Sequence, residues 1–166
     1  MFTLNEGIEE NANGDWESIL GDYQTLVPLG GLSNARTISC NEIGYWVDYI
    51  SDKHGFRNPE DAWDSQMIEL VLLGDSFTFG DCVPEEEHFS SMLRQKFLKT
   101  LNLGYPAAGP IATYATLIEY AKQLRPKVVL WFFFEGNDFL NLRFEKSFPA
   151  LLKYLDGESM QNLRSR

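Results

Sequence analysis

Basic residues are scarce in this sequence: Lys and Arg number 14 against 24 Asp and Glu, for a formal net charge of -10. A phosphate backbone or an anionic membrane surface is held through clustered Lys and Arg, so this balance argues against nucleic acid and acidic lipid as partners. Histidine is rarer still, with only His54 and His88. Cysteine is limited to Cys40 and Cys82, with no Cys-x-x-Cys spacing and no histidine pair beside them, which leaves no pattern for a metal site. Two readings of these thiols stay open: both buried and free, or one disulfide, which would imply an oxidising, extracytoplasmic compartment. The strongest apolar run, Val128 to Phe134, is strand-sized and far from the roughly 18 to 20 residues that cross a bilayer. Residues 1–13 lack the basic start and apolar middle of a signal peptide. Neither Gly-x-Gly-x-x-Gly nor Gly-Lys-Ser/Thr occurs, so no cofactor is expected.

What is present is apolar and aromatic: 44% of the 166 residues are hydrophobic and 14% aromatic, enough for one substantial core and too little for two domains. Residues 1–22 mix acids, amides and glycines with few apolar positions and are predicted to be a flexible lead. Residues 23–166 are predicted to be one α/β domain that opens with a β-rich lead-in over 23–65. In that lead-in Pro28 to Gly31 and Arg36 to Cys40 read as extended pieces, and Tyr45, Val47 and Tyr49 alternate with Trp46, Asp48 and Ile50 as in a strand.

Ile68 to Leu73 is a nearly continuous apolar run stopped by Gly74, as expected of a strand buried on both faces of a parallel sheet. Phe89, Met92, Leu93 and Phe97 share one face of a helix that follows the acids Glu85 to Glu87. Leu101 to Gly104 is a second strand candidate. Pro110 opens a helix on which Ile111, Tyr114, Ala115, Ile118 and Ala121 recur until Arg125-Pro126. Val128 to Phe134 is expected to be a third buried strand, and Leu140 to Leu155 a helix interrupted by Pro149. Strand, helix, strand, helix, strand predicts a parallel, doubly wound sheet with right-handed crossovers, a three-layer α/β sandwich.

Ligands in such sheets bind beyond the carboxyl ends of the strands. The three strand ends here read Gly74-Asp75-Ser76, then Gly104 to Pro110, then Glu135-Gly136-Asn137-Asp138. A serine between a strand and a helix exposes its hydroxyl at the sheet edge, and attack on an ester by Ser76 would create an oxyanion that needs preorganised donors. The same residue types also make ordinary turns and helix caps.

Taken together and in this order, Gly74-Asp75-Ser76, the Asn102 to Pro110 turn and Gly136-Asn137-Asp138 resemble the first three blocks of the SGNH (GDSL-like) hydrolases. Asp52-x-His54-Gly55-Phe56-Arg57-Asn58 and Trp131 to Asp138 are similar to bacterial members as well, and the resemblance runs from about Pro28 to Leu163. It implies Ser76 as nucleophile, Asn137 as an oxyanion donor, a second donor from the backbone of Ala107 or Gly109, and Asp75 and Gly136 as supporting residues. The family's second-block glycine falls on Ala107, whose amide serves if its φ is negative; a positive φ would favour Gly109.

The resemblance also implies an Asp-x-x-His near the end of the domain, and no such motif occurs in the sequence. The domain is therefore expected to be incomplete at its C-terminal side, with an unfinished sheet edge. His54 precedes the first strand and His88 lies on the helix after the nucleophile loop; both are expected to be surface or capping residues. The implied activity is hydrolysis or transfer of a small acyl ester, with a carbohydrate O-acetyl ester as one substrate class. The alternative is a binding or scaffold protein that keeps the pocket without the chemistry.

Overall fold

The computed structural model describes residues 26–64, 67–157 and 160–165; the predicted flexible lead at 1–22 lies outside them. The lead-in forms a hairpin of Arg36–Cys40 (β1) and Val47–Ile50 (β2), antiparallel, with Arg36 opposite Ile50 and Cys40 opposite Val47. The register shifts between Ile38 and Cys40, a bulge at Ser39. A bulge re-aims side chains, and here it turns Ser39 and Cys40 toward the loop after the first sheet strand. Ser39 bonds the Asp81 carboxylate and accepts from the Cys82 amide at 3.2 Å. Cys40 and Cys82 are joined as a disulfide, with their Cα atoms 5.2 Å apart. Pro28 to Gly31 contains no strand.

Leu70–Leu73 (β3) is the centre of a parallel sheet, with Thr100–Asn102 (β4) on one side and Val128–Trp131 (β5) on the other. The registers set Leu70 beside both Thr100 and Val128, so the three carboxyl ends finish at one level. All four β3 residues are buried. Val71 and Leu73 join Leu101 and Leu103 in the main core. Against them pack Pro110–Thr116 (α3), through Ile111 and Ala115, and Pro149–Leu152 (α5), through Leu151. Between these helices runs Asp138–Glu145 (α4); the predicted 140–155 helix is thus two helices, separated ahead of Pro149 where the ring forbids helical continuation. Two short helices precede β4, Ser76–Phe79 (α1) and Phe89–Arg94 (α2). The chain is mixed α/β, and among the described residues no helix is long and apolar enough to cross a membrane.

The two outer edges of the sheet differ. On β4, Asn58 accepts from the Asn102 amide and donates to its carbonyl, both at 2.8 Å, and the Arg94 guanidinium donates to the Thr100 carbonyl at 3.3 Å. Side chains thus complete the ladder there. On β5 the expectation of a buried strand is corrected: Val128 to Phe134 are 39–49% exposed. Apolar composition does not bury a strand unless a neighbour covers it, and β5 pairs with β3 alone.

Candidate functional site

The site is built where β3 ends. Gly74 has φ +151, and a β-carbon there would sit 2.7 Å from the Phe132 carbonyl oxygen and closer still to Thr78 Oγ1, so glycine is required. Its carbonyl accepts from the Tyr105 amide at 3.1 Å, which ties the end of β3 to the turn after β4. Asp75 then caps α1, accepting from the Phe77 amide at 3.0 Å through Oδ1. Its other oxygen accepts from Asn137 Nδ2 at 3.0 Å. Both Asp75 oxygens are therefore committed to positioning: one fixes the helix that starts at Ser76, the other aims the Asn137 amide. Ser76 is partly exposed, and its hydroxyl has no hydrogen-bond partner among the described residues.

The turn after β4 holds both candidate backbone donors, and the expectation that a positive φ at Ala107 favours Gly109 meets an obstacle there, because the Gly109 amide is engaged. Tyr105 to Ala108 is a β-turn closed by an Ala108 amide to Tyr105 carbonyl bond of 3.1 Å, with Pro106 at its second position and Ala107 at its third. Ala107 has φ +62, the left-handed value that a type II turn demands and glycine usually supplies; a β-carbon in that region costs about 1 kcal/mol. Gly109 adopts an extended conformation and its amide is already spent on Glu145 Oε1 at 2.8 Å. The Ala107 amide makes no hydrogen bond among the described residues. Glu145 is buried and also accepts from the Ile111 amide at 2.8 Å and the Ala112 amide at 3.1 Å, so it anchors the whole start of α3. Burial pushes its carboxyl above the usual range, while these three amides pull it back.

After β5 the chain turns at Phe134, whose amide donates to Asp138 Oδ2 at 2.7 Å. Burial raises the Asp138 pKa, the Phe134 amide opposes this, and the Asp75 carboxylate adds to it. Asn137 Oδ1 is buried without a partner, and Gly136 leaves room for the Phe134 ring, which a β-carbon would meet at 2.6 Å. The structure thus brings together Ser76, Asp75, the Tyr105 to Gly109 turn and Asn137 at one end of the sheet.

Neither histidine is hydrogen-bonded to any of them. His88, expected to be a surface or capping residue, occupies the N-cap position of α2 without a side-chain cap bond and is 1% exposed. Its Nδ1 lies 2.5 Å from Ser90 Oγ, and its Nε2 has no partner. The ring lies against Gly80 so closely that a β-carbon there would be 1.8 Å from Cδ2. Burial first, then the Arg57 charge, lowers its pKa to about 4. His54 is half-buried and packs edge-on against Trp63 and Tyr120, at centroid distances of 4.4 and 5.7 Å. Neither is hydrogen-bonded to Ser76.

No family model, curated protein or solved structure matches this chain. The Asp52 to Asn58 segment has a positioning part that sequence reading left unassigned. Asp52 Oδ1 accepts from the His54 and Phe56 amides, and Oδ2 from Asn58 Nδ2 and Trp63 Nε1, at 2.7–3.0 Å. Asn58 in turn holds Asn102, whose Nδ2 donates to the Thr78 carbonyl of α1 at 2.8 Å. Arg57, 2% exposed along its side chain, donates to the Gly80 and Val83 carbonyls and to Glu85, clamping the loop after α1. The signal in the sequence was an amide inside the apolar stretch Leu101-Asn102-Leu103: a polar residue there must find partners.

Beside the site a cavity of about 190 Å³ opens between the β1–β2 hairpin, the end of α1 and the turn after β4, walled by Phe79, Ala107, Tyr49, Tyr105, Arg36 and Asp81 among others. Burial raises the pKa of both tyrosines, so their hydroxyls stay protonated and able to donate at neutral pH. Phe79 is one turn beyond Ser76, and Ala107 carries the free amide. The disulfide and the Ser39 to Asp81 bond fasten the far wall to the loop after α1.

Proposed function

We propose that this chain carries the nucleophile and oxyanion donors of an SGNH-type serine hydrolase, on a three-layer doubly wound sheet, that cleaves or transfers the acyl group of a small ester. One observation supports this above others: an unpartnered serine hydroxyl, an unpartnered left-handed amide and an amide side chain held by Asp75 stand at three adjacent strand ends that finish at one level. In the reaction Ser76 Oγ adds to the ester carbonyl and yields its proton to a general base supplied from outside the described residues, which passes it to the departing alcohol oxygen. The resulting oxyanion takes hydrogen bonds from the Ala107 amide and Asn137 Nδ2, and collapse expels the alcohol, leaving an acyl-serine for water or a second alcohol to discharge. The cavity fits the rest of the substrate: apolar walls and a rim of Tyr, Arg and Asp suit a hydroxylated ring such as a carbohydrate O-acetyl ester.

Labelling by a fluorophosphonate tests the nucleophile. Modification confined to Ser76, accelerated by added imidazole as a diffusible base and absent from Ser76→Ala, is expected; equal labelling of both proteins refutes the assignment. A second reading, an SGNH-like binding protein without catalysis, is favoured by the absence of a hydrogen bond from either histidine to Ser76. Ser76-dependent ester turnover would exclude it.

A further inference from the structure

We propose that the cavity beside Ser76 is a subsite for a single sugar ring, in which Tyr105 and Asp81 are the specificity-determining pair and together read one free hydroxyl of the ring. The inference rests on the proposed role of Ser76 and narrows its substrate to an acyl ester of a monosaccharide unit that keeps a free hydroxyl. The first observation is which polar atoms around the cavity are already engaged. Asp81 Oδ1 is taken by the Ser39 hydroxyl. Tyr49 is held by the Thr37 side chain at its hydroxyl and by the Phe79 ring and Arg57 guanidinium around its ring. The Tyr105 hydroxyl and Asp81 Oδ2 make no hydrogen bond among the described residues, although both residues line the cavity. Tyr105 and Asp81 both act electrostatically on the Tyr49 hydroxyl, so their polar ends lie about the same space. A hydroxyl suits this pair, because it accepts from a phenol and donates to a carboxylate at once. A phosphate or carboxylate would meet the Asp81 charge instead, and an ether oxygen would leave Oδ2 without a donor.

The second observation is how both groups are fixed to the nucleophile loop. The Tyr105 amide donates to the Gly74 carbonyl at 3.1 Å and the Asp81 amide to the Ser76 carbonyl at 3.0 Å. Asp81 is fastened from its other side too, since Cys82 is joined to Cys40 and its amide donates to Ser39 Oγ at 3.2 Å. Ala107, whose amide is the proposed oxyanion donor, lines the same cavity. A ring seated there lies against the turn that carries the donor, and its hydroxyl is read by groups tied to the chain on both sides of Asp75. The volume of about 190 Å³ is below the roughly 300 Å³ at which drug-sized sites begin, which limits the subsite to one ring. Phe79 and Pro106 offer apolar surface to the ring carbons. An analogue without the hydroxyl strands Tyr105 and Asp81 unpaired, and such sites discriminate sharply.

Heteronuclear NMR titration of the full chain tests the subsite, with methyl glucopyranoside, methyl galactopyranoside and methyl mannopyranoside as probes and tetrahydropyran as the ring without hydroxyls. At least one glycoside should bind with a Kd on the order of 10 mM, shifting the amides of Thr37, Asp81 and Ala107, and tetrahydropyran should bind roughly tenfold more weakly or worse. Tyr105→Phe, and Asp81→Asn, which keeps an acceptor for Ser39, should each weaken the glycoside about tenfold, the dispersed spectra verifying that each variant is folded. No shift at those amides with any glycoside at about 100 mM, tetrahydropyran bound as tightly as the glycosides, or an affinity unmoved by Tyr105→Phe would each overturn the proposal. Fluorophosphonate labelling of the same protein keeps the two readings apart. Labelled Ser76 without glycoside binding refutes the subsite alone, whereas glycoside binding without labelling refutes the nucleophile and upholds the sugar subsite.

Discussion

His88 should make this fold acid-labile over a defined pH window. Its ring is 1% exposed, one nitrogen lies beside Ser90 Oγ, and the other is sealed without a partner against Gly80. Arg57 and Arg94 disfavour a charge there and Glu85 favours it, with burial the largest influence, and the folded pKa falls to about 4 from the ordinary 6.5. Because the folded value is depressed, the stabilising contribution is fully present above pH 6.5 and is lost as pH falls toward 4, while the unfolded chain takes up the proton. A difference of about 2.5 units corresponds to about 3 kcal/mol, of which about 2.5 kcal/mol is already lost at pH 4.5. The assay is urea unfolding of the wild type and of His88→Asn, which keeps an acceptor near Ser90 but cannot ionise. At pH 7 the variant should be less stable, since it loses ring packing. Between pH 7 and pH 4.5 the gap should narrow or reverse by about 2.5 kcal/mol, with carboxylates common to both proteins cancelling in the subtraction. A gap that stays constant with pH would show that the ring is not held neutral in the folded chain.

Three further outcomes follow from the geometry. Cys82→Ser opens a link between residues separated by 42 positions, and loop-closure entropy puts the loss at about 4 kcal/mol, measurable as a lower urea midpoint for the variant than for the oxidised parent; a loss below about 1 kcal/mol would contradict it. Asn137→Ala removes one of the two proposed oxyanion donors and should slow fluorophosphonate labelling of Ser76 about a hundredfold with little change in Tm, whereas equal loss of Tm and labelling would make Asn137 a structural residue only. Glu145→Ala strips the acceptor from three backbone amides and should cost about 3 kcal/mol or more in urea unfolding, together with slower labelling, because the turn bearing Ala107 loses its anchor.

Much of this was legible in the sequence because it is local. Arg36 to Cys40 was read as an extended piece and is β1, and Ile68 to Leu73 contains β3 because a short unbroken apolar run between turn residues has few other places to go. The order of strands and helices predicted a parallel sheet, and β3 is paired in parallel on both sides. Gly74, Asp75 and Ser76 at one strand end and Gly136, Asn137 and Asp138 at another were visible as motifs, since strand ends fall where apolar runs stop.

Tertiary structure decided what depends on partners distant in sequence. The amide of Gly109 is unavailable only because Glu145, 36 residues later, takes it, and Ala107 is left-handed because Pro106 and the closing bond from Ala108 impose the turn. His88 is buried because Gly80, the one residue type that leaves room for its ring, lies over it. Whether Cys40 and Cys82 paired turned on the bulge that aims β1 at the loop after α1. Val128 to Phe134 are as apolar as β3, yet one strand is sealed and the other open, because burial belongs to the neighbours a strand acquires and not to its own residues.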